Sequence, residues 1–461
     1  MAVAQRSYVS VAPVTMRLAM AAGLVVVGWS GAARAQVAPA APEQVAVGDW
    51  QLAPVAELRL RGEYRRDLDQ ENHALLVERV RLGLAAARGP IEARVVLQDA
   101  RAVDLGATAD PVVGPGAESV TGAYEAWVDA HTESARPSFL RAGRQAITWG
   151  EGRLLGAAEW SPTGRSLDAV RGRLAVGDGA FELLAAALMD PATSASVASY
   201  GELFGGRAEW AFDPLFAVDA YALARVAQAD PADSLEASVR GETYTGALGL
   251  HGDAHGWGWA AEGAYQIGRV EDLAENRAAW AAAAHVGYTF DGVALRPSVR
   301  AGAAYASGGG ATRGETYRAF DPLLPDVHVW HGAADLFAWS NEEEANGRAT
   351  IAPWTDALAA IEYRYARLAR PDGAWRTAYL TTIGRAPGNT EASLGHEIDA
   401  TLRWSPWAPL AVEAGYSIVL LGAGARAVLA ANAIGRAQGT GAVSTPPASH
   451  FAYAQATLAL P

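Results

Sequence analysis

Apolar and polar residues alternate one by one along most of this chain. In residues 55–65, Glu57, Arg59, Arg61, Glu63 and Arg65 share one parity, while Ala56, Leu58, Leu60, Gly62 and Tyr64 share the other. A strand turns successive side chains to opposite faces, so this spacing predicts a ribbon that is ionic on one side and apolar on the other. Arg79 and Arg81 stand against Val80, Leu82 and Leu84 in the same way, and Glu92, Arg94 and Gln98 against Ile91, Ala93, Val95 and Leu97. Later, Arg296, Ser298 and Arg300 oppose Leu295, Val299 and Ala301, and Glu362 and Arg364 oppose Ile361, Tyr363 and Tyr365. Glu397, Asp399, Thr401 and Arg403 then oppose Ile398, Ala400, Leu402 and Trp404. About 18 such segments follow residue 50, joined alternately by tight Gly-rich turns, as at 87–90, 177–179 and 253–256, and by longer connections.

Two architectures fit alternating strands. In a soluble sandwich or propeller the apolar face packs inward and strands run about five or six residues. In a membrane barrel the apolar face meets lipid, the ionic face lines the lumen, and strands run about 9 to 11 residues. The segments here are of the longer kind and often end in aromatics, among them Tyr64, Trp257, Tyr305, Trp404 and Tyr416, as interfacial girdles require. No apolar run after residue 36 approaches the length of a spanning helix. The expectation is all-β: a single antiparallel transmembrane β-barrel of 18 strands over residues 50–461.

The N-terminal stretch has a different pattern. Arg6 and Arg17 precede the apolar residues 18–32, and Ala33, Arg34 and Ala35 give an A-x-A site before Gln36. Residues 1–35 therefore read as a secretory signal, with translation starting at Met1 or Met16, and residues 36–49 as a spacer. The expected destination is the outer membrane of a Gram-negative cell.

Composition narrows the chemistry. The chain has no Cys, which excludes disulfides, thiolate metal sites and cysteine nucleophiles. All 37 basic residues are Arg, set against 50 acids for a formal charge of −13, so a nucleic-acid partner is not expected. Parity places 14 Arg on the ionic face, among them Arg59, Arg61, Arg79, Arg81, Arg94, Arg141, Arg171, Arg296, Arg300 and Arg364, with 11 acids that include Glu125, Asp129, Glu397 and Asp399. The lumen is then slightly cationic and the loops acidic. A guanidinium can fork onto a carboxylate without any change in protonation, while interspersed acids keep each contact weak enough to release. That suits passage of an anion. Cross-strand bracing of the wall by the same Arg–acid pairs is the competing reading.

Residues 140–171 carry a denser signal: LRAGRQ at 140–145, WGEGRLLG at 149–156 and EWSPTGRSLDAVR at 159–171. Together with YASG at 305–308, FDPLLP at 320–325, GAADLFAWSN at 332–341 and LGHEID at 394–399, these blocks resemble the alginate-export family of outer-membrane β-barrels. The resemblance implies an 18-stranded monomer with an Arg-lined lumen that passes polyuronate outward. It adds Arg144, Arg165 and Asp168 to Arg171, Glu397 and Asp399 as candidate path residues. Parity sends Arg144 to the lipid face unless a bulge turns it, and the resemblance draws it into the lumen. The C-terminus departs from the usual pattern by ending in Leu and Pro rather than an aromatic residue, and residues 308–348 are acid-rich around Glu342, Glu343 and Glu344.

No cofactor or metal is expected. His328 and His331 read as a solvated loop pair, and Gly308, Gly309 and Gly310 lack the Lys of a phosphate loop. His251 and His285 have no Ser at neighbouring-strand spacing, so an enzyme or adhesin ranks behind a channel. The expected partners are outer-membrane lipid, an anionic polysaccharide or oligosaccharide and periplasmic export proteins. The alternative function is a porin for small anions.

Overall fold

Strands of this length satisfy their backbone hydrogen bonds within a membrane only by pairing edge to edge until the sheet closes. The computed structural model of the chain describes residues 45–69, 71–105, 118–189, 199–227, 241–270, 275–309, 316–432 and 445–460. The signal segment 1–35 and most of the spacer lie outside the described residues. The strands in chain order are β1 Val45–Val47, β2 Trp50–Arg66, β3 Asn72–Arg88, β4 Ile91–Asp104, β5 Glu118–His131, β6 Phe139–Gln145 and β7 Leu167–Val176. Next come β8 Gly179–Met189, β9 Ser199–Asp213, β10 Phe216–Ala227, β11 Gly241–Ala254, β12 Trp257–Val270, β13 Glu275–Thr289 and β14 Ser298–Ala306. The last are β15 Glu342–Ile351, β16 Ala357–Leu368, β17 Ala374–Arg376, β18 Thr382–Arg385, β19 Ser393–Trp407, β20 Leu410–Leu421 and β21 Ala448–Leu460, with one helix, α1 Ala423–Ala431.

Each barrel strand pairs antiparallel with its neighbours, and β2 closes the ring by pairing with β21 from Ala56↔Leu460 to Arg66↔His450. Setting aside β1 and the small β17–β18 hairpin, 18 strands form the wall. Short connections such as 89–90, 177–178 and 255–256 gather at one end, and the long ones, including 146–166, 307–341 and 369–392, at the other. In outer-membrane barrels the short end faces the periplasm.

The wall separates two chemistries as the parity predicted. Leu82 and Leu97 are 57% and 59% exposed on the outside, whereas Arg61 on the inner face is 0% exposed. Outward aromatics collect near both ends: Tyr64, Trp280, Tyr363 and Tyr416 toward the long connections, and Trp210, Trp257, Tyr288 and Trp404 toward the short ones. Gly143 shows why the GRQ block holds a glycine: its φ is +121°, and a Cβ there would lie 2.2 Å from the carbonyl oxygen of Ala126 on β5.

The interior is not uniformly ionic, and here the expectation is corrected. From β8 to β14 the inner face carries apolar residues, Leu184, Leu188, Leu203, Leu223 and a run of Ala that includes Ala279, Ala281 and Ala283, beside charged ones such as Glu182, Asp219, Arg225, Glu262 and Arg277. Ile147, Trp149, Leu154, Leu155, Phe320, Leu323 and Trp339 from two long connections pack against it as a buried core. Alanine sits comfortably on either face, so parity alone could not reveal that these connections turn inward. Leu82→Arg would place a charge among acyl chains and should destabilise the barrel by about 2–4 kcal/mol in urea titrations of the lipid-reconstituted protein.

Candidate functional site

The ionic half of the lumen has two levels. Near the short-connection end, Arg94 pairs with Glu125 at 2.7 Å, Arg141 with Asp129 at 2.7 Å while lying 3.6 Å over the Trp127 ring, and Arg171 with Glu182 at 2.9 Å. Arg300 stands 3.7 Å from Glu362. Asp129 and Arg141 are directly opposed across β5 and β6, so strand register supplies the pair. All four of these Arg side chains remain part-exposed, and they line a vestibule of matched charges.

At mid-height, β2 and β3 present Arg59, Arg61, Arg79 and Arg81 as a ladder, with Arg59 and Arg79 directly opposed. Residues 157–165 of the long connection lie against it. Arg59 donates to the carbonyl oxygens of Glu159 (2.6 Å) and Ser161 (2.8 Å), and Arg61 to that of Trp160 (2.8 Å) with its guanidinium 3.8 Å over the Trp160 ring. The Glu159 carboxylate is held by Arg79 at 3.0 Å, by Arg81 at 3.0 Å and by the Tyr124 hydroxyl. Burial works against ionisation of Glu159, but Arg79 and Arg81 outweigh it and hold the carboxyl at about 2. Nothing in the residue pattern singled out Glu159, Trp160 or Tyr124. The available signal was that Glu159 and Trp160 open the EWSPTGR block.

Residues 316–341 also fold inward. Arg65 donates to the carbonyl of Ala334 at 2.6 Å, Arg364 to that of Trp330 at 2.8 Å, and Glu397 accepts from the Ala334 amide at 2.8 Å. Asp321 meets Arg225 at 2.5 Å and exchanges two hydrogen bonds with Gln266. Burial opposes its charge, yet Arg225 and Arg277 keep its carboxyl at about 2. Arg364, Glu397 and Asp399 thus face inward as the sequence implied, but beneath these residues rather than on an open path.

Three sequence expectations are overturned. Arg296 is not on the wall: it sits in the turn before Pro297 with φ +42°, paired at 2.6 Å with exposed Asp291. Arg144 and Asp168 pair with each other at 2.8 and 2.7 Å on the outer surface, because the β6–β7 register runs unbroken from Phe139↔Arg173 to Gln145↔Leu167 and no bulge turns them inward. Arg165 braces two connections, donating to the carbonyls of Gly156, Leu324 and Pro325 at 2.7–2.9 Å.

His328 and His331 are not a solvated pair either. His328 stacks on Trp160 with centroids 3.5 Å apart. His331 Nδ1 lies 3.3 Å from Glu342 and 3.1 Å from Glu344; burial disfavours its proton, but the two carboxylates prevail and raise its pKa. That trio, and Glu92 with Asp129 and His131, have donor atoms that a metal ion could use. In both, however, one carboxylate already faces an Arg: Glu344 meets Arg364, and Asp129 meets Arg141.

The family model described as alginate export matches residues 53–433. The chain belongs to the alginate-export family. Curated proteins give no match to its sequence. Among solved structures this alginate-export barrel is similar to OccAB1 of Acinetobacter baumannii (TM-score 0.57, 10% identity, covering 89% of this chain and 97% of that one). It is also similar to OprD of Pseudomonas aeruginosa (0.54, 9%, 91% and 96%) and to Pseudomonas aeruginosa OpdK with vanillate (0.52, 12%, 88% and 98%). At such identities the likeness is one of fold.

In this family member the buried Arg364 is shared by Glu344, by Glu362 at 2.6 Å and by Glu397 at 4.0 Å. Arg364→Leu would leave those carboxylates without their cation and should cost about 3–5 kcal/mol of barrel stability in urea titration. An unchanged midpoint would show that the acids are neutral.

Proposed function

We propose that this outer-membrane channel passes an anionic polysaccharide or oligosaccharide of the alginate type, as a monomer and without a chemical step, from periplasm to exterior. The observation that carries the reading is the mid-height ladder of Arg59, Arg61, Arg79 and Arg81, which grips one carboxylate and several carbonyl oxygens inside a closed tube of the alginate-export family. Guanidiniums bind carboxylates in a forked geometry and stay charged at any physiological pH. The matched pairs of the vestibule leave each Arg a neighbouring acid to return to, so a passing uronate is held briefly and released. The N-terminal segment is proposed as the export signal, and periplasmic proteins that deliver polymer as partners.

A second reading, a porin for small anions, is favoured by the inward packing of residues 146–166 and 316–341, which narrows the bore. Vanillate, named with the similar barrel OpdK, is a small carboxylate. Planar-bilayer recordings separate the two. The expected result is anion selectivity in a salt gradient and a concentration-dependent block by uronate oligomers that neutral oligosaccharides do not produce. Cation selectivity would overturn both readings; passage of small carboxylates with indifference to uronate oligomers would favour the porin.

A further inference from the structure

The lobe of residues 158–164 is closed at its base and held at its tip by different forces. At the base, the Arg165 amide donates to the Ala157 carbonyl and the Arg165 guanidinium fastens Gly156 to Leu324 and Pro325. Beyond it, the lobe meets the wall through ionic and polar contacts and through Trp160, whose indole lies edge-on to Tyr453 of β21 and stacks on His328. The Arg79 and Arg81 guanidiniums and the Tyr124 hydroxyl take the Glu159 carboxylate, and Arg59, Arg61 and Gln98 take the carbonyls of residues 159–161 and 163. The Arg61 guanidinium covers the indole of Trp160. The Glu159 side chain nevertheless keeps 29% of its surface exposed.

The chemistry offered to the ladder is that of a sugar acid. A uronate residue carries one carboxylate, several hydroxyl and ring oxygens that accept hydrogen bonds, and an apolar ring face suited to an indole. Residues 159–163 present one carboxylate, carbonyl oxygens in place of the sugar oxygens, and an indole of their own. Four guanidiniums meet three carboxylates here, those of Glu57, Glu63 and Glu159. Removing Glu159 therefore widens the cationic excess from one to two, and an external carboxylate returns it to one.

We propose that Arg59, Arg61, Arg79, Arg81 and Tyr124 form a uronate-binding subsite, and that the lobe 158–164 occupies it as a displaceable internal substitute, with Glu159 standing in for the sugar carboxylate. The proposal rests on the reading of the lumen as a path for uronate. Polymer arriving from the vestibule exchanges with Glu159 on Arg79 and Arg81, and the lobe swings away on its fixed base. Without polymer the lobe returns and narrows the tube.

The full-length barrel in planar bilayers, with mannuronate oligomers as probe, tests this. Glu159→Gln should raise resting conductance and lower the oligomer concentration for half-maximal block about tenfold, the change equivalent to 1.4 kcal/mol. Adding Tyr124→Phe to that variant should raise the concentration again. A cysteine-free chain also permits Ser161→Cys, whose labelling by a water-soluble maleimide should accelerate with oligomer over the same range as the block. This second measurement stands even where Glu159→Gln fails to fold. If the oligomer blocks the wild-type channel but Glu159→Gln leaves conductance and block unchanged, or labelling of Ser161→Cys ignores the oligomer, the internal-substitute proposal is wrong and the channel reading survives. If the oligomer affects neither wild type nor variants, the channel reading itself fails.

Discussion

Lipid on one side of a closed sheet governs everything inside it. Each strand shows every second side chain to acyl chains, where an unpaired charge costs several kcal/mol, so ionic residues are driven to the inner face and must be neutralised there. Register does much of that work. Asp129 opposite Arg141, and Glu413 opposite Arg403, become partners because β-pairing sets them side by side. Forked ion pairs on the outer face, Arg144 with Asp168 and Arg101 with Asp99, follow the same rule: parity places these residues outside, and each supplies its partner's counter-charge.

Exclusive use of Arg suits this setting. A guanidinium has five donors in a plane, is less strongly hydrated than an ammonium, and can hold a carboxylate, a carbonyl and an aromatic face together. Arg61 does all three, with Glu63, the Trp160 carbonyl and the Trp160 ring. Such residues tie inward-folding connections to the wall beside a second buried apolar cluster, in which Leu336 and Phe337 pack with Val419, Leu421 and Phe451 of the wall. On the opposite side of the tube, from β8 to β14, buried apolar surface and the contacts of Asp321 with Arg225 and Gln266 together hold the connections. Both sides of the tube therefore combine apolar packing with ion pairs.

Much of the wall was legible in the sequence. The parity of Arg59, Arg61, Arg79, Arg81, Arg94 and Arg364 fixes their inward face, and the lengths of the alternating segments fix the membrane architecture. Arg296 was misplaced because alternation cannot show where a strand starts; Pro297 and the left-handed turn at Leu295 and Arg296 do that. The covering of Glu397 and Asp399 was invisible for a different reason, since backbone amides of residues 333 and 334 contact them and an amide leaves no trace in residue type.

By itself the sequence determined which face each wall residue takes, because a period of two is a local property of extended backbone and lipid punishes any exception. Only the tertiary structure decided what meets those faces inside the tube. The approach of Glu159 to Arg79, Arg81 and Tyr124 spans from 35 to 80 residues of chain and depends on how far a long connection reaches across the lumen. No local pattern encodes that distance. It is set by closure of the ring and by the apolar packing that draws the connections inward.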